Sequence, residues 1–267
     1  MADVFSLSDL VELPLLLGGL GLLWRLALSP AARAHPAAAR LGRWEITPLD
    51  FGLMVWGVFA AGVLTQLAVH QLAVTLELKN DAYFVVAAPA LPAGMVLAAA
   101  GFHWHARVRG GPALFGSDFF RAGSVAFLMA LPLVAGVALG WDILLKLAGL
   151  PAEPQDAVQM FLRMKSPAMQ ATLGLYAIAL APFAEEWVFR GVLFRYARGR
   201  LPRWCALLLP AALWAALHGL TAFAPLFALG LVLSLAYERT GNLAVPMLAH
   251  MLFNLNTILV LLFDPPQ

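Results

Sequence analysis

The stretch PFAEEWVFRG at residues 182–191 sets two adjacent carboxylates, Glu185 and Glu186, just before Arg190. Long apolar runs flank it on both sides. Ionisable groups at bilayer depth are costly and mark function by default. Three further places qualify: His218 in LWAALHG, His250 with Asn254 in LAHMLFN, and His70 with Gln66. Glu186 and Arg190 stand at i and i+4, so they can pair and hold the helix register. Glu185 points about 100° away from its neighbour, which leaves it free for chemistry. His250 and Asn254 also share one helix face.

These residue types fit a hydrolase. A carboxylate held away from bulk water can act as a general base, and a histidine beside it can share the water. An asparagine and a second histidine can donate hydrogen bonds to a developing oxyanion. The same glutamate and two histidines could instead hold zinc, which takes three protein ligands and a water in catalytic sites. No HExxH is present, and Glu185 and Glu186 diverge. The flanks LWAAL and MLF supply few acceptors to orient metal-bound histidines. The expectation is therefore no cofactor, with zinc as the alternative. His70 and Gln66 read as an interhelical hydrogen-bond pair. His35, His103 and His105 fall at helix ends or in loops and read as interfacial.

Only a membrane bundle can position such residues in this chain. The 267 residues are 62% hydrophobic and 12% charged, with mean hydropathy +0.82. A soluble domain carries about twice that charged fraction. The apolar runs predict an all-α, polytopic transmembrane bundle of about eight spans, near 5–28, 50–74, 82–104, 122–148, 169–197, 204–219, 223–238 and 242–263. Four N-terminal spans (1–168) precede a core at 169–263, within one integral membrane domain. The sixth and seventh spans are short and read as a tight hairpin through HGLTAFAP. The N-terminus lacks a basic region and a small-residue cleavage site, so it reads as a retained first span. Cys205 is the one cysteine, without metal-ligand spacing. Most tryptophans fall near span ends, as an aromatic belt does. Trp187 and Trp214 lie close to the polar layer and are expected to line its wall.

Twelve basic residues fall in alternate loops: Arg25, Arg33, Arg40 and Arg43; then Arg107, Arg109 and Arg121; then Arg195, Arg198, Arg200 and Arg203; then Arg239. The other side carries Lys79, Lys146, Arg163 and Lys165. This bias places the first set in the cytoplasm and both termini outside it. No basic patch interleaved with aromatics points to nucleic acid. Measured from the turn near 198–204, Glu185 and His218 both lie roughly 20 Å deep. From Gly241, His250 lies roughly 13 Å deep and Asn254 roughly 19 Å. Separate helices thus bring polar side chains to one layer.

EEWVFRGVLF resembles the EExxxR motif of the CAAX-protease and bacteriocin-processing (Abi) family of intramembrane proteases. WAALH is similar to that family's FxxxH, with Trp214 in the phenylalanine position, and HMLFN fits HxxxN. ERTGNLAVPMLAHMLFN also resembles the family's approach to its last motif. The resemblance covers about residues 169–260. It implies that Glu185 activates water with help from His218, that His250 and Asn254 form the oxyanion site, and that Glu186 and Arg190 support them. It implies a membrane-bound protein or peptide substrate: a bacterial surface-protein tail, a bacteriocin-type peptide or a CAAX-like tail. The arginine-rich, lysine-poor makeup suggests a high-GC bacterium, and so a bacterial cytoplasmic membrane; free-living bacteria usually lack protein prenylation, so the CAAX-like tail is the less expected of these substrates. The competing reading is a non-enzymatic immunity or transport protein with a buried Glu/His cluster. Transporters commonly show matching halves, and no internal repeat is evident. No feature of the sequence fixes the oligomeric state.

Overall fold

The computed structural model describes residues 7–34, 40–41, 44–108, 114–150 and 156–263. His35, Arg43 and Arg109 of the sequence reading lie outside them. Among the described residues, seven helices are long and apolar enough to cross a membrane: α1 (Val11–Ala34), α2 (Pro48–Thr75), α3 (Asn80–His105), α4 (Phe119–Leu147), α6 (Pro167–Arg198), α8 (Leu220–Thr240) and α9 (Ala244–Phe263). Two shorter helices, α5 (Asp156–Arg163) and α7 (Arg203–Ala216), complete the described set. The protein is thus an all-helical, integral membrane bundle. Large apolar side chains such as Leu17, Trp56, Leu64 and Leu97 face outward, as a lipid-facing surface requires.

The sixth expected span differs. Of residues 204–219 only those up to Ala216 are helical: α7 has fourteen residues and reaches about 21 Å, short of a hydrocarbon core about 30 Å thick. A turn through Leu217 and His218 follows it, and Gly219, at φ +84°, leads the chain into α8. The Trp141 indole N–H on α4 donates to the Leu220 carbonyl at this turn (2.9 Å). The seventh span is a full 21 residues, longer than the sequence pattern indicated, because Leu220, Thr221 and Ala222 already belong to its first turn. The amphipathic α5 was not foreseen in the loop between the fourth and fifth spans.

α4 lies at the centre, packed against α1, α8 and α9, while α2 and α3 pair with each other and α3 packs on α6. The core is built from Phe189, Phe194, Leu207, Leu229, Leu233 and Tyr237. One end of the bundle is clamped by Glu238. Its buried carboxylate accepts hydrogen bonds from Arg198 and from Arg203 (2.8 Å). Its main-chain carbonyl accepts from the amides of Arg40 and Leu41. The turn between α6 and α7 and the segment before α2 are thereby fastened to the end of α8. Gly241, at φ +66°, then stops α8 in the left-handed conformation glycine tolerates. Asn242 accepts from the amides of Gly116 and Ala244.

His70 makes the interhelical bond expected of a polar group in lipid. His70 Nδ1 lies 2.9 Å from the Tyr83 hydroxyl on α3. Close approach of α2 and α3 depends on Gly94, where an added Cβ would fall 2.5 Å from the Ala61 carbonyl oxygen. Small residues allow this approach where lipid supplies no hydrophobic drive between helices. Gly94→Ala is expected to cost about 1–3 kcal/mol through forced separation. Gly101→Ala, on the same helix with nothing within 4 Å, should be neutral or gain up to about 1 kcal/mol. Thermal unfolding in detergent distinguishes them; equal midpoints would show that the contact is not tight.

Candidate active site

The site is built on α6, and α6 is not a regular helix. Residues Tyr176–Leu180 and Trp187–Phe194 are π-helical, with the α-helical turn Ala181–Glu186 between them. Pro182 explains the first. It lacks an amide N–H and its ring crowds the preceding turn, and widening to i→i+5 bonding relieves that crowding. The Ala181 amide accordingly bonds to the Tyr176 carbonyl. In this pattern the carbonyl of Ala177 would be served by residue 182, which has no N–H. Asn254 on α9 takes that place: its Nδ2 donates to the Ala177 oxygen at 2.8 Å.

Glu186 is fully buried, and its Oε1 accepts from Arg190 Nη1 (2.8 Å) and from His250 Nδ1 (2.9 Å). The expected Glu186–Arg190 pair is therefore present, with His250 as an additional partner. Arg190 donates through Nη2 to the Gly230 carbonyl on α8 (3.2 Å). Its guanidinium carbon lies 4.6 Å from the Trp214 ring centroid, a cation–π contact. The other oxygen of Glu186 is buried without a partner.

Trp214 joins this buried layer to Glu185. Its indole N–H donates to Glu185 Oε2 at 2.7 Å, and its ring meets His218 and His250 edge-on at 5.2 and 5.3 Å. His218 Nδ1 lies 2.9 Å from the Trp214 carbonyl oxygen. A carbonyl only accepts, so Nδ1 carries a proton, and whenever the ring is neutral Nε2 is the nitrogen with the lone pair. The same reasoning assigns a proton to His250 Nδ1, which faces the Glu186 carboxylate.

Glu185, His218, His250 and Asn254 all line one cavity of about 390 Å³, together with Trp214 and Tyr176. The four residues singled out for chemistry thus converge from α6, the end of α7 and α9. Glu186 and Arg190 lie behind them, out of the cavity. Trp187 is buried against Phe115 and Phe183 and faces a separate pocket shared with His103, so of the two tryptophans only Trp214 walls the site. Sequence reasoning missed its donor role. The available signal was the i, i+4 spacing of Trp214 and His218 where an aromatic without an N–H was the expected type. Tyr176 was also missed. Among the described residues no group of three or more His, Cys, Asp or Glu is placed to hold a metal ion.

Fold and site together define a helical membrane protein with a buried Glu/Arg/His cluster beneath a polar-floored cavity. Residues 167–256, which contain every one of these groups, match the family described as type II CAAX prenyl endopeptidase Rce1-like. The family indicated by the three motifs is thus the one matched. An Escherichia coli protein named "Uncharacterized 24.3 kDa protein" is 36% identical over 124 residues, 44% of this chain and 56% of that protein. The Bacillus subtilis (strain 168) protein YpbD is 40% identical over 81 residues, 30% of this chain and 41% of that protein. The chain thus spans about half the length of these curated relatives. No solved structure matches.

Glu186→Gln leaves Arg190 and His250 without their carboxylate. Breaking a buried pair from one side costs about 3–5 kcal/mol. Glu185→Gln keeps an acceptor for the Trp214 N–H and should cost less than about 1.5 kcal/mol. Unfolding midpoints of the two variants in detergent check this. Equal losses would show that the two glutamates share one structural role.

Proposed function

We propose that the protein is an intramembrane endopeptidase that hydrolyses a peptide bond of a membrane-associated protein or peptide with a water activated by Glu185 and His218. The observation that carries this reading is the convergence of Glu185, His218, His250 and Asn254 on one cavity. The family match over the same residues supports it.

The geometry divides the labour. Trp214 holds one oxygen of Glu185, which leaves the other to take a proton from water as it attacks the scissile carbonyl. His218 Nε2 accepts a hydrogen bond from the same water. The oxyanion that forms is met by the second N–H of Asn254, whose first N–H is spent on Ala177. His250 contributes when its ring is protonated, because Nε2–H then donates while Glu186 fixes the ring through Nδ1. The proton taken by Glu185 passes to the departing amine, and the C–N bond breaks. Low dielectric strengthens each of these contacts.

We take the reaction to run without zinc: three ligands would have to come from separate helices, and among the described residues no group of three His, Cys, Asp or Glu is placed to hold a metal ion. The acceptors that the flanking sequence did not offer are nevertheless present, since Nδ1 of His218 faces the Trp214 carbonyl and Nδ1 of His250 faces the Glu186 carboxylate, as the ring nitrogens of metal-bound histidines require. The bundle is read as residing in a bacterial cytoplasmic membrane with both termini outside the cytoplasm.

Terminal-peptide profiling of membranes from cells expressing wild type or Glu185→Gln tests the reading. New protein termini should appear with wild type and vanish with Glu185→Gln. His218→Ala and His250→Ala should each lower product formation by about 10²–10⁴-fold. Termini unchanged by Glu185→Gln would favour a non-enzymatic membrane role. For the metal, elemental analysis of active protein and dialysis against a strong chelator should leave activity intact. Stoichiometric zinc, with activity lost on its removal and restored on its return, would make this a metallopeptidase.

A further inference from the structure

The cavity has a direction. On α6 its lining runs from Glu185 through Ala181 and Ala177 back to Leu173, roughly 18 Å along the helix toward its start at Pro167. On α9 it runs from His250 through Asn254 and Thr257 to Leu261, roughly 16 Å toward the helix end at Phe263. On α3 it touches Ala88, in the part nearer Asn80. Val158, Met160 and Phe161 of α5 line it too, and α5 lies in the connection between α4 and α6; Trp214, His218 and Leu226, from the end of α7 to the first turns of α8, close its remaining side. α3, α5, α6 and α9 all reach the same end of the bundle.

That end is opposite the arginines. The turn after α6 carries Arg198, Arg200 and Arg203, and α8 ends at Arg239. No residue of these segments lines the cavity. Between the catalytic layer and the arginine end stand the buried Glu186–Arg190–His250 cluster and the core side chains Phe194, Leu207, Leu233 and Tyr237. The way to Glu185 from the arginine side is packed shut. Arginine and lysine excess marks the cytoplasmic side of a bundle with short loops.

We infer that the site is entered from the non-cytoplasmic face, and that its substrate is the extracytoplasmic segment of a membrane-anchored polypeptide. This rests on the peptidase reading for the word substrate, while the direction of entry rests on geometry and charge alone. A chain segment emerging on the outer side could descend along α6 and α9 to Glu185 past the smaller apolar cluster of Phe161, Met164, Leu173 and Ile258, without crossing the main core. A tail on the cytoplasmic side would meet Glu238, its arginines and the packed layer above them.

Thiol labelling separates the two. In a Cys205→Ser background, Leu261→Cys and Thr257→Cys place thiols at the outer part of the cavity, and Arg200→Cys places one at the arginine end. With a membrane-impermeant maleimide on bacterial spheroplasts, Leu261→Cys and Thr257→Cys should label directly. Arg200→Cys should label only after permeabilisation. The reverse pattern overturns the inference. So does the absence of labelling at both cavity thiols from either side in protein that labels once denatured, since the cavity would then be closed. This readout needs no hydrolysis, so it stands if the peptidase reading fails. Where Glu185-dependent termini are found, they should map to extracytoplasmic segments of their proteins. Cleavage confined to cytoplasmic segments would overturn the assigned substrate class.

Discussion

The Glu186 carboxylate is the interaction on which the rest of the site depends. It is fully buried, so its charge must be met by side chains. Arg190 meets it from one turn along the same helix, and His250 meets it from α9. Arg190 then reaches α8 through the Gly230 carbonyl and α7 through the face of Trp214. One carboxylate therefore sets the relation of four helices. The residues facing the cavity inherit their positions from it: His250 directly, and Glu185 through Trp214.

The second clamp, at Glu238, gathers the turns at the arginine end. Together the two clamps give α8 a polar fastening at its middle and at its end, with α4 packed along it. α7 can then be short. Its start is fixed by Arg203 on Glu238 and its end by the Trp141 contact at Leu220. Its end brings His218 to the depth of Glu185, where a longer helix would carry it past.

Much of this was legible in the sequence. The charge-poor composition, the loop arginines and the i, i+4 pairs fixed the class and the Glu186–Arg190 contact. Depth estimated from helical rise brought Glu185, His218, His250 and Asn254 to one layer, and the cavity joins them. The misses have a common physical cause, since helix rise and periodicity describe regular α-helices and their own faces. They do not report a proline-induced π turn, so the Asn254 contact with Ala177 was out of reach. They do not say which of two adjacent carboxylates a histidine on another helix will choose, so His250 was placed on the oxyanion site without its bond to Glu186. Nor do they separate a fourteen-residue apolar helix from a span when boundaries are uncertain by a few residues.

The π turn at Tyr176–Leu180 also has a bearing on how this chain can vary. A wide turn holds one residue more than the α-helix it interrupts, so it shifts the angular phase of everything before it. Leu173 and Tyr176 face the cavity because of that offset, while the carboxylates after it keep their own phase. Loss of one residue within the turn would preserve every motif and every apolar position. It would also turn the outer half of α6 by about 100° relative to Glu185, carrying that wall of the cavity toward lipid. Comparisons among relatives that count motifs without counting phase would score such a chain as intact, although its cavity had lost a side.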